Sequence, residues 1–92
     1  MEEYYTDLEK LVTVTEIMRL CWRISHDTKY TASFDYSPHV EMVSVSVCDE
    51  WQEPPIYWQY TYTDKEFDHV PTIKEVLQYL KEFYRKEVTQ NG

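Results

Sequence analysis

Apolar residues recur at steps of three and four in two stretches of this chain and at steps of two between them. Val14, Ile17, Met18, Cys21 and Ile24 form one helical stripe, and Ile73, Val76, Leu77, Leu80 and Phe83 form another. Each stretch opens on a threonine with a glutamate three residues later, Thr13 with Glu16 and Thr72 with Glu75. That is the capping-box pattern, in which each side chain satisfies the other residue's N–H. Pro71 immediately precedes the second. The spacing predicts helices over 14–26 and 73–87. Residues 3–11 read as a short extra helix, with Thr6 and Glu9 as its own capping box and Leu8, Leu11 and Val12 as a short stripe. The β-branched run Val12, Thr13, Val14, Thr15 loses rotamer freedom in a helix, so a break is expected between the short helix and the main one.

The middle of the chain alternates. Tyr30, Ala32, Phe34 and Tyr36 are interleaved with Thr31, Ser33 and Asp35. Val43, Val45 and Val47 are interleaved with Ser44 and Ser46, and Ile56, Trp58, Tyr60 and Tyr62 with Tyr57, Gln59, Thr61 and Thr63. Period two with β-branched and aromatic residues predicts strands over 29–36, 40–48 and 56–63. Ser37-Pro38 supplies the first turn, with proline suited to the second position of a type I turn. Residues 49–55 form a longer connection. Short connections favour antiparallel neighbours, and an antiparallel sheet can bury one face while wetting the other. The expectation is a single domain over 1–92 of the α+β class. Its order is α-β-β-β-α, a three-stranded antiparallel sheet with both helices on one face. The face turned to the helices is expected to carry Tyr30, Phe34, Tyr36, Val43, Val45, Val47, Ile56, Trp58, Tyr60 and Tyr62.

Composition narrows the function classes. The chain has 92 residues and a formal charge of -8, with 17 acidic side chains against 9 Lys and Arg. Nine Tyr, three Trp and three Phe are too many rings for a disordered acidic tail. The acids concentrate between the helices: Asp35, Glu41, Asp49, Glu50, Glu53, Asp64, Glu66 and Asp68 lie between residues 30 and 72, against Lys65 alone. The ordinary role of such acids is solubility. The sharper reading is a surface that meets a basic groove on a partner protein, its carboxylates standing in for phosphates. Candidate contact residues are Asp49, Glu50, Glu53, Asp64, Glu66 and Asp68, with Trp51 and Tyr57 as aromatic anchors and Tyr4 and Tyr5 behind them.

Other chemistries find little support. One glycine, Gly92, excludes glycine-loop nucleotide binding. His26, His39, His69, Cys21 and Cys48 are scattered without metal-ligand spacing, so no metal or cofactor is expected. No apolar run approaches the roughly 20 residues of a membrane span, and the N-terminal residues are acidic and aromatic, which reads as cytoplasmic. Both cysteines are then expected to be reduced, buried thiols. The adjacent pairs His26-Asp27 and Asp68-His69 diverge by position and do not by themselves make an oriented base, and Ser37 with His39 straddles a turn, so no enzyme is expected. The element order is also that of a double-stranded RNA-binding domain. Such a domain grips phosphates and needs a lysine cluster where this chain has Thr72-Ile73-Lys74-Glu75. A charge of -8 opposes that use.

The stretch Phe34-Asp35-Tyr36-Ser37-Pro38-His39-Val40-Glu41-Met42-Val43-Ser44-Val45 resembles a hairpin of small uncharacterised phage and prophage proteins of Gram-positive bacteria. There an aromatic-x-Tyr-Ser strand meets a Gly-His-Val turn, and this chain departs from that pattern in having Pro38 where glycine is usual. The resemblance covers about twelve residues and implies a source and a hairpin. Anti-CRISPR proteins are similar in size, charge and layout. The expectation is a small acidic phage accessory protein acting by stoichiometric protein–protein binding, one use being to block a host nucleic-acid-binding or defence protein by charge mimicry. The alternatives are a homo-oligomeric assembly component, then a nucleic-acid binder or metal-dependent enzyme.

Overall fold

The computed structural model describes residues 7–49 and 54–91. Its elements run α1 (Asp7–Asp27), β1 (Tyr30–Ser37), β2 (Met42–Asp49), β3 (Tyr57–Tyr62) and α2 (Ile73–Asn91). The sheet order is β1-β2-β3 with both pairs antiparallel, so the fold is α+β in the expected order. Both helices lie on one face, where Ile17, Cys21 and Ile24 of α1, Val43, Val45 and Val47 of β2, and Ile73, Val76 and Leu80 of α2 form the core.

The expected break near residue 12 does not occur. α1 is one helix of 21 residues, and Thr13 lies buried inside it rather than capping it. Tertiary packing of its inner stripe outweighs the few tenths of a kcal/mol that β-branched residues cost a helix. The first part of the proposed short helix, including Thr6, lies outside the described residues. Met18 turns away from the core and is exposed, as are Leu8, Leu11, Val12 and Trp22. α2 starts as its sequence predicts: Thr72 N–H donates to Glu75 Oε1 at 2.8 Å, and Glu75 N–H donates to Thr72 Oγ1 at 3.2 Å. It runs four residues beyond the expected end at 87.

Two tethers set how the layers meet. At the end of α1, Ser25 Oγ donates to Ala32 O at 3.1 Å and accepts from Ala32 N–H at 2.8 Å. The outer edge of β1 is thereby capped at Ala32 by a helix side chain. The other tether joins the hairpin to β3. Ser37 O accepts from Val40 N–H at 3.3 Å with Pro38 in the second turn position, as expected. The turn then leaves Glu41 at φ 54°, the left-handed region, a cost of about 1–2 kcal/mol for a side chain with a Cβ. Its position is held from both sides: Glu41 O accepts from Thr63 N–H at 2.9 Å, Glu41 Oε1 accepts from Thr63 Oγ1 at 2.6 Å, and Glu41 Oε2 accepts from the Tyr36 hydroxyl at 3.1 Å.

The third strand faces the other way from expectation. β2–β3 register places Val47 opposite Tyr57, Val45 opposite Gln59 and Val43 opposite Thr61. Side chains directly opposite share a face, so Tyr57, Gln59 and Thr61 turn toward the helices, while Trp58, Tyr60 and Tyr62 turn outward. Thr61 and Thr63 are buried, and Ile56 and Trp58 are exposed. The reason is polar satisfaction in a narrow space: Thr61 Oγ1 donates to Pro71 O at 2.6 Å, so a compact hydroxyl sits in the core with its partner supplied by the segment leading into α2.

Candidate functional site

The register sorts the outer face of the sheet into rows. Ser33, Ser46 and Trp58 form one, Asp35, Ser44 and Tyr60 the next, and Ser37, Met42 and Tyr62 the third. Apart from Met42, short side chains occupy β1 and β2, and rings occupy β3. No described element covers this face. Trp58 is 58% exposed, Ile56 52% and Phe67 46%.

The rings make a continuous chain. Trp58 and Tyr60 have centroids 5.5 Å apart at 55°, Tyr60 and Tyr62 are 6.0 Å apart at 84°, and Tyr62 and Phe67 are 5.1 Å apart at 64°. Such edge-to-face contacts stabilise the rings against one another. They also tilt successive rings steeply, so the row is not a flat platform for stacked bases. A contiguous run of partly exposed rings on a monomer's surface is often functional.

The strand edge beside this row is open. Thr63 N–H bonds to Glu41 O, just before β2, and alternation along an antiparallel pair then turns the backbone N–H and C=O groups of Trp58, Tyr60 and Tyr62 outward. Gln59 Nε2 donates to Tyr60 O at 3.0 Å. Among the described residues, no backbone group pairs with this edge.

Charge is divided between the layers. The two helices carry seven cations, Lys10, Arg19, Arg23, Lys74, Lys81, Arg85 and Lys86, and seven carboxylates. Among the described residues, those between the helices carry six carboxylates against Lys29 and Lys65. The excess negative charge of the described residues therefore belongs to the strands and their loops.

The acids proposed from the sequence do not form one cluster. Asp49 stands at one end of the sheet, 3.9 Å from Lys29 Nζ. Asp64, Glu66 and Asp68 are exposed in the loop at the other end, separated from it by the length of β3, ~20 Å for six residues. Glu50, Trp51 and Glu53 lie outside the described residues, as do Tyr4 and Tyr5. Tyr57 is no exposed anchor. Its ring stacks on Tyr79 at 3.9 Å and 12° on the helix side, and burial, then the Tyr79 and Cys21 charges, push its hydroxyl up to about 12. Sequence reasoning passed over Trp58, Tyr60, Tyr62, Lys65 and Phe67. The signal for the first three was present in the alternation, but it was assigned to the opposite face.

The remaining reactive groups are tied into structure. His26 Nδ1 lies 2.9 Å from Asp27 Oδ1, so these neighbours do meet at the end of α1, contrary to their expected divergence. Asp27 Oδ2 also accepts from the Tyr84 hydroxyl at 2.5 Å, and Arg23 donates to both Asp27 and Tyr84. The His26, Tyr84 and Arg23 contacts hold the Asp27 carboxyl down at about 2. This network joins α1 to α2 in the open. Burial pushes the Cys21 thiol up to about 12. Cys48 is only half buried, which corrects the expectation of two buried thiols; both are free. Among the described residues, no group of three or more His, Cys, Asp or Glu is placed to hold a metal, and no helix is long and apolar enough to cross a membrane. Comparison with protein-family models, curated proteins and solved structures finds no match in any of the three.

Proposed function

We propose that the protein is a non-catalytic binding module that takes a basic partner protein on the open face of its sheet. The observation that carries this reading is the row of exposed Trp58 and Phe67 with half-buried Tyr60 and Tyr62 between them on an uncovered face, in the layer that holds the excess carboxylates. Rings supply anchoring area at low entropic cost. The surrounding acids speed and select the encounter with a cationic surface. The hairpin resemblance over 34–45 supports a phage or prophage accessory role, in which such binding blocks a host nucleic-acid-binding or defence protein.

The open edge of β3 favours a second reading, self-association through β3. Pairing of that edge with its copy would form a six-stranded sheet and hide the same rings. Affinity capture with the wild type and with the Trp58→Ala, Tyr60→Ala double variant tests the first reading. A partner retained by the wild type, released by moderate salt and lost from the double variant is the expected result. Equal capture by both variants overturns it. A concentration-dependent dimer that the same double variant dissolves favours the second reading.

A further inference from the structure

We propose that the cleft beside Tyr62 and Phe67 receives an arginine side chain of the partner, and that Lys65 occupies its place in the free protein. This deepens the function proposed above and rests on it.

The loop that ends β3 is folded back on itself. Val70 N–H donates to Phe67 O at 3.3 Å, and the two residues form an isolated antiparallel bridge. Thr63, on Glu41, and Thr61, on Pro71, hold the two ends of the loop to the sheet. This return brings the Phe67 ring against Tyr62 and makes a corner with two aromatic walls. Lys65 Nζ sits in that corner, 5.7 Å from the centroid of Tyr62 and 5.8 Å from that of Phe67. Both distances fall within the reach of a cation–π contact, about 6 Å. The molecule's own cation thus marks the chemistry that the corner accepts.

Around it lies an open cleft of about 340 Å³, lined also by His39, Val40, Glu41 and Asp64. Glu41 lines the cleft, while its carboxylate is taken up by the Thr63 and Tyr36 hydroxyls toward α1, and these bonds, with Lys10 beyond them, keep it below the usual carboxylate range. Asp64 is exposed and makes no hydrogen bond or ion pair among the described residues. Two rings and the Asp64 carboxylate on one cleft suit a guanidinium better than an ammonium. Guanidinium is planar, weakly hydrated and able to stack on a ring while its N–H groups fork onto a carboxylate. The negative excess of the surrounding layer draws the same charge.

The test is an NMR titration of the ring-labelled protein with N-acetyl-arginine amide, using N-acetyl-citrulline amide as its neutral isostere and N-acetyl-lysine amide as the competing cation. Saturable shifts of the Tyr62 and Phe67 rings with the arginine compound, smaller ones with lysine and none with citrulline are expected. Lys65→Ala removes the resident cation and should tighten arginine binding about two- to fivefold, the size of one exposed cation–π contact. Asp64→Asn should weaken it. Both side chains are exposed, so neither change threatens the fold. Equal shifts with citrulline, or a Lys65→Ala variant that binds no better, overturns the proposal. A tetra-arginine peptide separates the two levels of the argument. If it moves Trp58 and Tyr60 but leaves Tyr62 and Phe67 still, the cleft is wrong and the open face stands; if no ring on the face moves, both fail.

Discussion

β2 and β3 are neighbours in one sheet, yet they send opposite kinds of side chain to the same side. β2 puts Val43, Val45 and Val47 under the helices and serines outside. β3 puts Thr61, Gln59 and Tyr57 under the helices and Trp58, Tyr60 and Tyr62 outside. Hydropathy alone orients the first strand and misorients the second. Burial of a compact threonine whose hydroxyl has a partner costs little, and an amphipathic ring tolerates water. Where both faces of a strand are that adaptable, register and polar tethers decide. Shifting the pairing by one residue would reverse every side chain, and the Glu41–Thr63 bonds fix it.

The largest effect expected from breaking this pattern is at Val45→Ser. It removes buried methyls at the centre of the core and leaves a hydroxyl there without an arranged partner. A loss of about 2–4 kcal/mol is expected in urea unfolding. A loss below about 1 kcal/mol would mean that the helices do not pack on β2 as described. Next comes Thr61→Val, which keeps shape but deprives Pro71 O of its donor. On hydropathy it should stabilise the core; on the geometry it should destabilise by about 1–2 kcal/mol. The sign of that change decides between the two accounts.

Most of the architecture was legible in the sequence, because it was written in strong signals. The helix periods, the Thr72–Glu75 box and the valine–serine alternation of β2 each point one way. The continuity of α1 was not legible, because local β-branched cost competes with packing that only the folded core supplies. The open face was hidden for a different reason: Trp58, Tyr60 and Tyr62 look like core, and Thr61 and Thr63 look like surface. The loop that brings Lys65 and Phe67 to Tyr62 depends on contacts between residues 22 positions apart in sequence, Glu41 and Thr63, which no local pattern announces.

The register tether itself should respond to acid. The Thr63 hydroxyl first, then that of Tyr36, hold the Glu41 carboxyl below its ordinary value. A folded-state value below the unfolded one gives stability that is present above the unfolded value, about 4.3, and lost as pH falls through the folded one. The wild type should therefore lose unfolding free energy on acidification below about pH 4.5. Part of that loss should be missing from Glu41→Gln, read as a shallower dependence of the urea midpoint on pH. Identical slopes would show that the carboxylate does not hold β3 in register. Asp27, held down at about 2 at the α1–α2 contact, should act in the same direction in both variants, so the difference between them isolates the sheet.

The smallest effect on stability is expected at Trp58→Ser, and it is the most discriminating. Trp58 lies directly opposite Ser46 on the outer face, so the substitution makes β3 resemble β2 there. If that ring faces water and touches chiefly Tyr60, its removal should change unfolding free energy by no more than about 1 kcal/mol, although tryptophan is among the largest apolar groups in the chain. Val45→Ser removes far less apolar surface and should cost several times more. Two serine substitutions on adjacent strands thus rank opposite to side-chain size. On the proposed function the ring's value then lies in what it touches outside the molecule, and loss of the captured partner from Trp58→Ser at unchanged fold would measure it. A loss of 3 kcal/mol or more from that variant would instead place the ring in the core and reverse the face assigned to β3.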